Sequence, residues 1–375
     1  MEFIKNNTGF CGNMQISNLK LTNYRNYSNI SVSFSGGHNI IMGNNAQGKT
    51  NLLESVYLMS TGASPRTGKD SELIYFGRER ANVYLEVASK VGKKVIEMEL
   101  AIGEKKKISL NYLPISKMVE LMGGVCSVYF APDQMKLVKS SPEHRRRFLD
   151  IDLCQMSKSY FYTLHKYNEI LKQRNALLKK ASRQYAIETL PIWNESLAKE
   201  GAKIIFQRMK FCEKVNYFAV EIHKFLTGND DIINYEYVSL GVGETIEEIE
   251  ASLLTALDKN FEKDFKLQYT SVGPQRDDVK ISLKNIDLRS FGSQGQQRTA
   301  TLALMLSEME IFGEVLGEYP VLLLDDVLGE LDLSRQEKLL KYTKKFQTLI
   351  TCTHLPQGAN LDGGKIIKVL NGRIV

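Results

Sequence analysis

One short stretch of the sequence could hold a phosphate group. It comprises Gly43, Asn44, Asn45, Ala46, Gln47, Gly48, Lys49 and Thr50, which fit the pattern G-x-x-x-x-G-K-[ST]. Its glycines let backbone N–H groups turn towards a phosphate, and the start of a helix adds partial positive charge. The lysine of this pattern reaches the outer phosphates of a nucleotide, and its hydroxyl residue ligates Mg²⁺. A chance loop is the alternative, but an apolar run before the stretch and helical spacing after it supply the strand–loop–helix context that the pattern requires.

Two acidic residues end an apolar stretch late in the chain. The run Val321–Leu324 predicts a buried parallel strand, and Asp325 and Asp326 follow it directly. Burying carboxylates is unfavourable unless a cation or hydrogen-bond donors meet them. A Mg²⁺ ion held by Asp325 and Thr50 would supply the cation, and Asp326 would then orient or deprotonate water at the terminal phosphate. The alternative is a pair of acids that caps the next helix.

A second candidate anion site opens a long helix predicted over residues 294–316. Ser293, Gly295 and Gln296 lie where the free N–H groups of that helix point outwards. Two anion sites in one chain imply either two nucleotides or one nucleotide held between two chains. Taken alone, the segment is better explained as a simple helix cap, and Asp332 and the lone His354 are weaker signals still.

The elements that must position these motifs are arranged as a divided head. Residues 14–135 predict strands with one helix, including an antiparallel meander with one wet face. Residues 136–268 predict a mainly helical lobe whose first helix starts at Pro142. Residues 269–375 return to alternating strands and helices and end in a hairpin at Asn371–Gly372. We therefore expect an α/β fold in which a helical insertion separates two halves of one head.

The composition fits a soluble protein with an uneven charge distribution. The 375 residues are 43% hydrophobic and 25% charged, with a formal net charge of +6. Residues 136–220 contain 17 lysines and arginines and 8 acidic residues, whereas residues 221–265 contain 3 and 11. Solvated helix faces are one explanation. A polyanion-binding surface, followed by an acidic surface that docks a basic partner, is the other.

No sequence feature indicates a membrane or an oxidising compartment. No stretch approaches the roughly 20 apolar residues of a membrane helix, and the first 13 residues lack the apolar run of a signal peptide. The five cysteines are scattered singly, which predicts reduced thiols without a zinc site. We expect a cytoplasmic protein with no membrane partner.

The order of the motifs is more specific than any one of them. It resembles the ATP-binding-cassette head of chromosome-maintenance ATPases, whose P-loop head has a mixed sheet with an antiparallel β subdomain. The sequence is most similar to the RecF family of bacterial recombination mediators, in the blocks Leu21–Tyr27, Gly43–Glu54, Pro142–Asp150, Gly273–Asp278, Phe291–Thr299 and Leu322–Asp332. The resemblance spans residues 14–354 and implies that residues 1–13 are an N-terminal extension.

The resemblance implies an ATP held between two copies of the chain. In such heads the nucleotide lies between the phosphate loop of one copy and the signature helix of the other. Carried over, Ser293, Gly295 and Gln296 would contact the γ-phosphate in trans, and Asp332 would line the seam of an ATP-dependent homodimer.

The resemblance also implies further residues on the nucleotide side. His354 would sense the γ-phosphate, and Arg25 and Arg66 are similar to arginines that reach the nucleotide. Gln134 lies in the interval where a glutamine completes the Mg²⁺ shell. Asp326 stands where related cassettes carry the longer glutamate, so water is held less well, and we expect a weak, DNA-dependent ATPase that acts as a switch.

DNA is the expected partner of the helical lobe, whose basic side chains would contact phosphates without reading sequence. The residues predicted to do so are Arg145, Arg146, Arg147, Lys179 and Lys180. Three consecutive arginines project about 100° apart on a helix, so at least one of them is expected to pair internally, for example with Asp150 or Asp152.

The function implied by the resemblance is ATP-dependent DNA binding in recombinational repair, replication-gap processing and the SOS response. Two heads would close on duplex or gapped DNA, hydrolysis would release it, and the protein would act with the RecO and RecR mediators. One alternative is the ATPase subunit of a membrane transporter, although such cassettes carry a shorter insertion. The other is a nuclease fused to the head, for which about 43 residues after Asp332 leave no room.

Overall fold

Strands make up most of the N-terminal and C-terminal parts of the chain. The computed structural model describes residues 12–132, 137–355 and 363–375. Within these ranges the strands are β1 (Gly12–Asn13), β2 (Gln15–Tyr24), β3 (Tyr27–Ser33), β4 (His38–Met42), β5 (Arg80–Ser89), β6 (Gly92–Ala101), β7 (Lys107–Leu110), β8 (Leu113–Ile115), β9 (Ser127–Phe130), β10 (Ile233–Val238), β11 (Asp278–Leu283), β12 (Ile286–Asp287), β13 (Glu318–Tyr319), β14 (Val321–Asp325), β15 (Thr348–Cys352), β16 (Lys365–Leu370) and β17 (Arg373–Ile374).

Helices dominate the middle of the chain. In the described part they are α1 (Lys49–Thr61), α2 (Met118–Leu121), α3 (Pro142–Met156), α4 (Lys158–Lys180), α5 (Arg183–Thr227), α6 (Ile246–Lys259), α7 (Phe261–Leu267), α8 (Leu288–Phe291), α9 (Gln294–Leu316) and α10 (Leu333–Thr343). Helix α5 continues through Pro191 and Gly201. Helices α6 and α7 are separate, because the chain turns at Asn260.

Contacts between residues divide the chain into two units. The first takes in the described residues of 1–136, 222–229 and 301–375, and the second comprises 137–221 and 230–300. Residues 269–300 therefore belong with the helices, whereas the sequence placed them in the head. Two contacts explain this: β11 pairs with β10, and Asp278 at the start of β11 binds Arg145 of α3.

A six-stranded sheet positions the phosphate loop of the first unit. Its order is β17-β16-β4-β15-β14-β9, and every pair except β16–β17 is parallel. The side chains of β14, β15 and the edge strand β9 are all buried, as expected of parallel strands covered on both faces. The carboxyl ends of β4, β14 and β15 lie side by side, so the loops that follow them converge at one edge of the sheet.

A second sheet of the first unit is antiparallel and runs in the order β3-β2-β5-β6-β7-β8. Along β5 the burial alternates from residue to residue, which is the mark of a sheet with one solvated face. The predicted mixed sheet with an antiparallel β subdomain is confirmed. Gly12 and Asn13, predicted to belong to an extension, form β1 and pair in parallel with β13.

The second unit joins helices to a small antiparallel sheet of order β10-β11-β12. Its core contains ion pairs as well as apolar side chains. Arg174 of α4 is fully buried and donates to Asp264 at 2.8 Å and to Asn194 at 2.8 Å. The guanidinium of Arg208 in α5 donates to both carboxylate oxygens of Asp150. These charges are tolerated in the interior because each is paired and hydrogen-bonded.

Candidate nucleotide site

The phosphate loop joins β4 to α1, and its two glycine positions leave no room for a side chain. Gly48 has φ +116°, and a Cβ there would lie 2.6 Å from Asn26 Nδ2 and 2.7 Å from the hydroxyl of Tyr27. A Cβ on Gly43 would lie 2.4 Å from the carbonyl oxygen of Val369. Gly48 is also the N-cap of α1 and offers no capping side chain, which leaves the first N–H groups of the helix available to an anion.

Neighbouring segments hold the loop in this shape. The hydroxyl of Tyr27 donates to Gly48 O at 2.9 Å, and Asn26 Nδ2 donates to Gln47 O at 2.9 Å. From the C-terminal hairpin, the N–H of Asn371 donates to Gln47 Oε1 at 2.5 Å. The loop is therefore preorganised in the free chain, so little of its ordering entropy has to be lost on binding.

Lys49 lies inside the loop that precedes it. Its buried ammonium donates to Gly43 O at 2.7 Å and to Asn44 O at 3.2 Å. Carbonyl oxygens satisfy the charge only partly, because they are neutral acceptors. The lysine is thus placed so that an anionic phosphate could replace weaker partners.

Asp325 is buried at the end of β14 and gathers three hydroxyl groups. Thr50 Oγ1 donates to its Oδ1 at 2.9 Å, Thr351 Oγ1 donates to the same oxygen at 2.8 Å, and Tyr129 OH donates to Oδ2 at 2.9 Å. Burial and the nearby carboxylate raise the pKa of Tyr129, so its hydroxyl stays protonated as a donor. Tyr129 and Thr351 belong to no sequence motif, so the sequence did not predict their contacts with Asp325. Only the pairing of β14 with β9 and β15 brings them here.

Asp326 follows in a left-handed backbone conformation with φ 51°. Its N–H donates to Thr351 Oγ1 at 2.8 Å, which fixes the turn away from the strand. Burial raises the pKa of its carboxyl group and Asp325 adds to that shift, whereas the charge of Lys49 opposes it. A carboxylate whose basicity is increased in this way suits a group that accepts a proton from water.

The other residues predicted to lie beside the nucleotide have different surroundings. His354 is exposed just beyond the end of β15. Gln134 lies outside the described residues. Arg25 and Arg66 both bind Glu54, a fully buried carboxylate of α1 that sequence reasoning did not single out, although it lies four residues beyond the phosphate loop.

The signature residues belong to the second unit and cap helix α9. Gln296 N–H donates to Ser293 Oγ at 3.2 Å, and Ser293 N–H donates to Gln296 Oε1 at 2.9 Å, which is a capping box. Both side chains are exposed. A Cβ on Gly295 would meet no atom within 4 Å, so packing inside the chain does not require glycine there. The exposed helix cap therefore does not exclude the anion site that the sequence predicts at the same residues.

Asp332 is the exposed N-cap of α10 in the first unit. Its carboxylate accepts the N–H of Arg335 at 3.0 Å and pairs with the Arg335 guanidinium at 2.5 Å. These contacts lower the pKa of Asp332, the backbone hydrogen bond contributing most. The residue is therefore charged and faces solvent.

The basic residues of the second unit divide into buried and exposed sets. Arg145 is 3% exposed, binds Asp278 through two nitrogens and donates to three carbonyl oxygens, so the prediction that it contacts DNA is contradicted. An arginine of the triplet does pair internally, but with Asp278 rather than Asp150 or Asp152. Arg146 donates to Asp277 O at 2.6 Å. Arg147, Lys179 and Lys180 are exposed.

Comparison with known proteins identifies close relatives over almost the whole length. The family model described as the RecF/RecN/SMC N terminal domain matches residues 15–371. A protein of Clostridium perfringens named "DNA replication and repair protein RecF" is 41% identical over 96% of this chain and 99% of that protein. A relative of that name from Clostridium botulinum is 43% identical over 92% of this chain and 94% of that protein.

Solved structures agree with the sequence relatives. A structure titled "Structure of the recombination mediator protein RecF-ATP in RecFOR pathway" superposes with a TM-score of 0.89 at 35% identity, covering 98% of this chain and 99% of that chain. An Smc head domain from Pyrococcus furiosus shares the fold, with a TM-score of 0.56 at 16% identity and 96% of each chain covered. None of these relatives supports the transporter alternative. In the part of the chain that is described, no helix has both the length and the apolar character needed to cross a membrane.

Proposed function

Because this chain belongs to the RecF family of DNA replication and repair proteins, we propose that it is an ATP-gated clamp for DNA. ATP would join two copies of the chain on duplex or gapped DNA, and slow hydrolysis would release them. RecO and RecR are its proposed partners in loading recombinase at single-stranded gaps. The solved structure of a relative is described as RecF-ATP in the RecFOR pathway, and this supports ATP as the nucleotide that this chain binds.

One observation carries the nucleotide assignment: the 2.9 Å hydrogen bond between Thr50 and Asp325. It joins the phosphate loop to the end of a strand 275 residues later in the sequence. A hydroxyl and a carboxylate oxygen in contact, beside a loop shaped for phosphate, are two hard oxygen donors of the kind that Mg²⁺ takes together with substrate phosphates. Among the described residues no cluster of three or more His, Cys, Asp or Glu side chains could hold a metal alone, which fits a site completed by the nucleotide.

Thr50 and Asp325 are therefore the residues that would hold Mg²⁺. The bound ion would neutralise charge that develops on the phosphate oxygens. The protein's own groups do the rest. Lys49 would exchange its carbonyl partners for the outer phosphates, and the N–H groups of the loop would hold them in place. Asp326 would orient the attacking water and accept its proton.

The second half of the pocket is proposed to come from another copy. The capping box uses the N–H groups of Ser293 and Gln296, so the groups proposed to reach a partner's phosphate are the exposed Ser293 hydroxyl and Gln296 amide and the unobstructed backbone at Gly295. A γ-phosphate between these groups and the phosphate loop of a partner would explain why glycine occurs at a position that tolerates a side chain. Two different half-sites on each copy, related by a two-fold axis, give two pockets in a closed, isologous dimer.

We expect DNA affinity and self-association to depend on the nucleotide. With ATP, duplex or gapped DNA should bind at least about tenfold more tightly than with ADP, since a dimer doubles the number of phosphate contacts. Fluorescence anisotropy with labelled duplex, combined with sedimentation velocity, measures both quantities. Equal affinity and a monomer in both nucleotides would refute an ATP-gated clamp.

Hydrolysis should be slow. The carboxylate of Asp326 is shorter than a glutamate, so we expect steady-state turnover well below the roughly 10 per second of a typical enzyme. DNA should increase the rate by favouring the closed dimer. A coupled assay of phosphate release, with and without duplex DNA, measures this. Rapid turnover in the absence of DNA would be inconsistent with a switch.

A further inference from the structure

Two arginines from separate loops share one buried carboxylate beside the phosphate loop. Glu54, on the second turn of α1, has no exposed side-chain area. Arg25 donates to it from Nε at 2.9 Å and from Nη2 at 2.6 Å, and Ser64 Oγ donates at 2.6 Å. Arg66 approaches the same carboxylate, with Nη1 3.4 Å from Oε2. Glu54 is thus the point at which the two loops are fastened to α1.

The two guanidinium groups are used very differently. Arg25 directs two nitrogens at Glu54 and the third at Glu72 O, at 2.8 Å, and its side chain is 18% exposed. Among the described residues the guanidinium of Arg66 donates from Nη1 alone, and 47% of its side chain is exposed. All three nitrogens of the Arg25 guanidinium therefore donate to groups of the protein, whereas Nε and Nη2 of Arg66 remain available to another acceptor.

The exposed guanidinium lies next to the proposed phosphate site. Nη1 of Arg66 donates to Asn51 Oδ1 at 2.9 Å, and Asn51 is the neighbour of Thr50 in the first turn of α1. Asn51 in turn donates to Asn26 Oδ1 at 2.8 Å, and Asn26 donates to Gln47 O of the loop. Arg66 is therefore held by acceptors on two successive turns of the helix whose N-terminus would bind the phosphates.

We propose that Glu54 is a positioning residue that holds Arg66 with its free N–H groups directed at the phosphates of the bound nucleotide, and that Arg25 serves to fix Glu54. The sequence had given both arginines to the nucleotide. This inference rests on the proposed function, because it assumes that the loop binds ATP. An arginine fixed before binding loses little rotational freedom when it meets a phosphate, which is the advantage that such an anchor provides.

A double-mutant cycle on nucleotide affinity tests the inference. The variants are Glu54→Gln, Arg66→Ala and the double substitution, and the readout is the Kd for a slowly hydrolysed ATP analogue with Mg²⁺, measured by calorimetry. Each single change should weaken binding by about tenfold, and the double change by about the same factor, because both remove one interaction. Glu310→Gln is the matched control, since Glu310 also binds a lysine and two tyrosines in the first unit, and its Kd should equal that of the wild type.

The outcomes separate this inference from the function on which it rests. If the two effects multiply to about a hundredfold, or if Arg66→Ala leaves the Kd unchanged, Glu54 does not act through Arg66. If the wild type binds no ATP, the proposed function fails as well. Should Glu54→Gln not fold, Ser64→Ala replaces it, because it removes one hydrogen bond to Glu54 together with the two that Ser64 Oγ accepts from the N–H groups of Arg66 and Thr67. Its smaller effect should vanish in the Arg66→Ala background, and persistence of that effect would overturn the inference.

Discussion

Replacing Lys49 by alanine is expected to reduce ATP affinity by at least about 100-fold, which corresponds to the loss of a strong charge-assisted contact. The ammonium group already lies inside the loop on Gly43 O and Asn44 O, so it would only have to exchange these acceptors for phosphate oxygens. Without it, two carbonyl oxygens would face the phosphate and repel it. Calorimetry with ATP and Mg²⁺ measures the change.

Lys106 provides a matched control for this substitution. Its ammonium also donates to a carbonyl oxygen, that of Gly62, at the opposite end of α1 from the phosphate loop. Lys106→Ala should therefore leave the Kd for ATP unchanged. Binding of ATP by Lys49→Ala with near wild-type affinity would mean that the loop does not hold the outer phosphates.

Replacing Asp326 by asparagine is expected to lower hydrolysis by about 100-fold or more while ATP affinity changes little, since a positioned general base typically contributes a factor of 10² to 10⁴. Asparagine keeps the shape of the side chain but cannot accept a proton. The ATP-bound dimer should consequently persist longer on DNA than that of the wild type. Phosphate release and the lifetime of the DNA complex measure the two effects separately.

The pH dependence of the wild type follows from the raised pKa of Asp326. A base must be deprotonated to act, so hydrolysis should fall as the pH decreases through that pKa, and this fall should begin above the ordinary pKa range of an aspartate.

For the Asp326→Asn substitution, Asp70→Asn is a suitable control, because Asp70 pairs with Lys106 on the surface. Unchanged hydrolysis in Asp326→Asn would assign the base to another residue.

The parts of the site that could be predicted are those formed by contiguous stretches of the sequence. The phosphate loop, the strand ending at Asp325 and the long helix after Ser293 each carry a local signal of residue type and period. The two halves of the main sheet also follow from such signals, because buried parallel strands are continuous apolar runs.

Partners supplied by distant segments were not predictable. Tyr129 and Thr351 reach Asp325 only through strand pairing, at sequence separations of 196 and 26 residues. Glu54 looked like one polar residue on an apolar helix, and its importance depends on two loops that fold onto it. Arg145 looked like a DNA contact because a charge pattern does not reveal that Asp278, 133 residues away, binds it. Helix α5 passes through Pro191 and Gly201, where local propensity alone predicts interruptions.

The central claim, that one ATP is held by two copies of the chain, is tested most directly by mixing two inactive variants. Lys49→Ala removes the phosphate-loop half of each pocket, and Ser293→Arg blocks the signature half. A mixed dimer retains one pocket with both halves intact, so an equimolar mixture should regain about a quarter of wild-type hydrolysis if subunits pair at random. Each variant alone should remain inactive. A mixture as inactive as its components, with mixed dimers demonstrably present, would contradict a pocket shared between subunits.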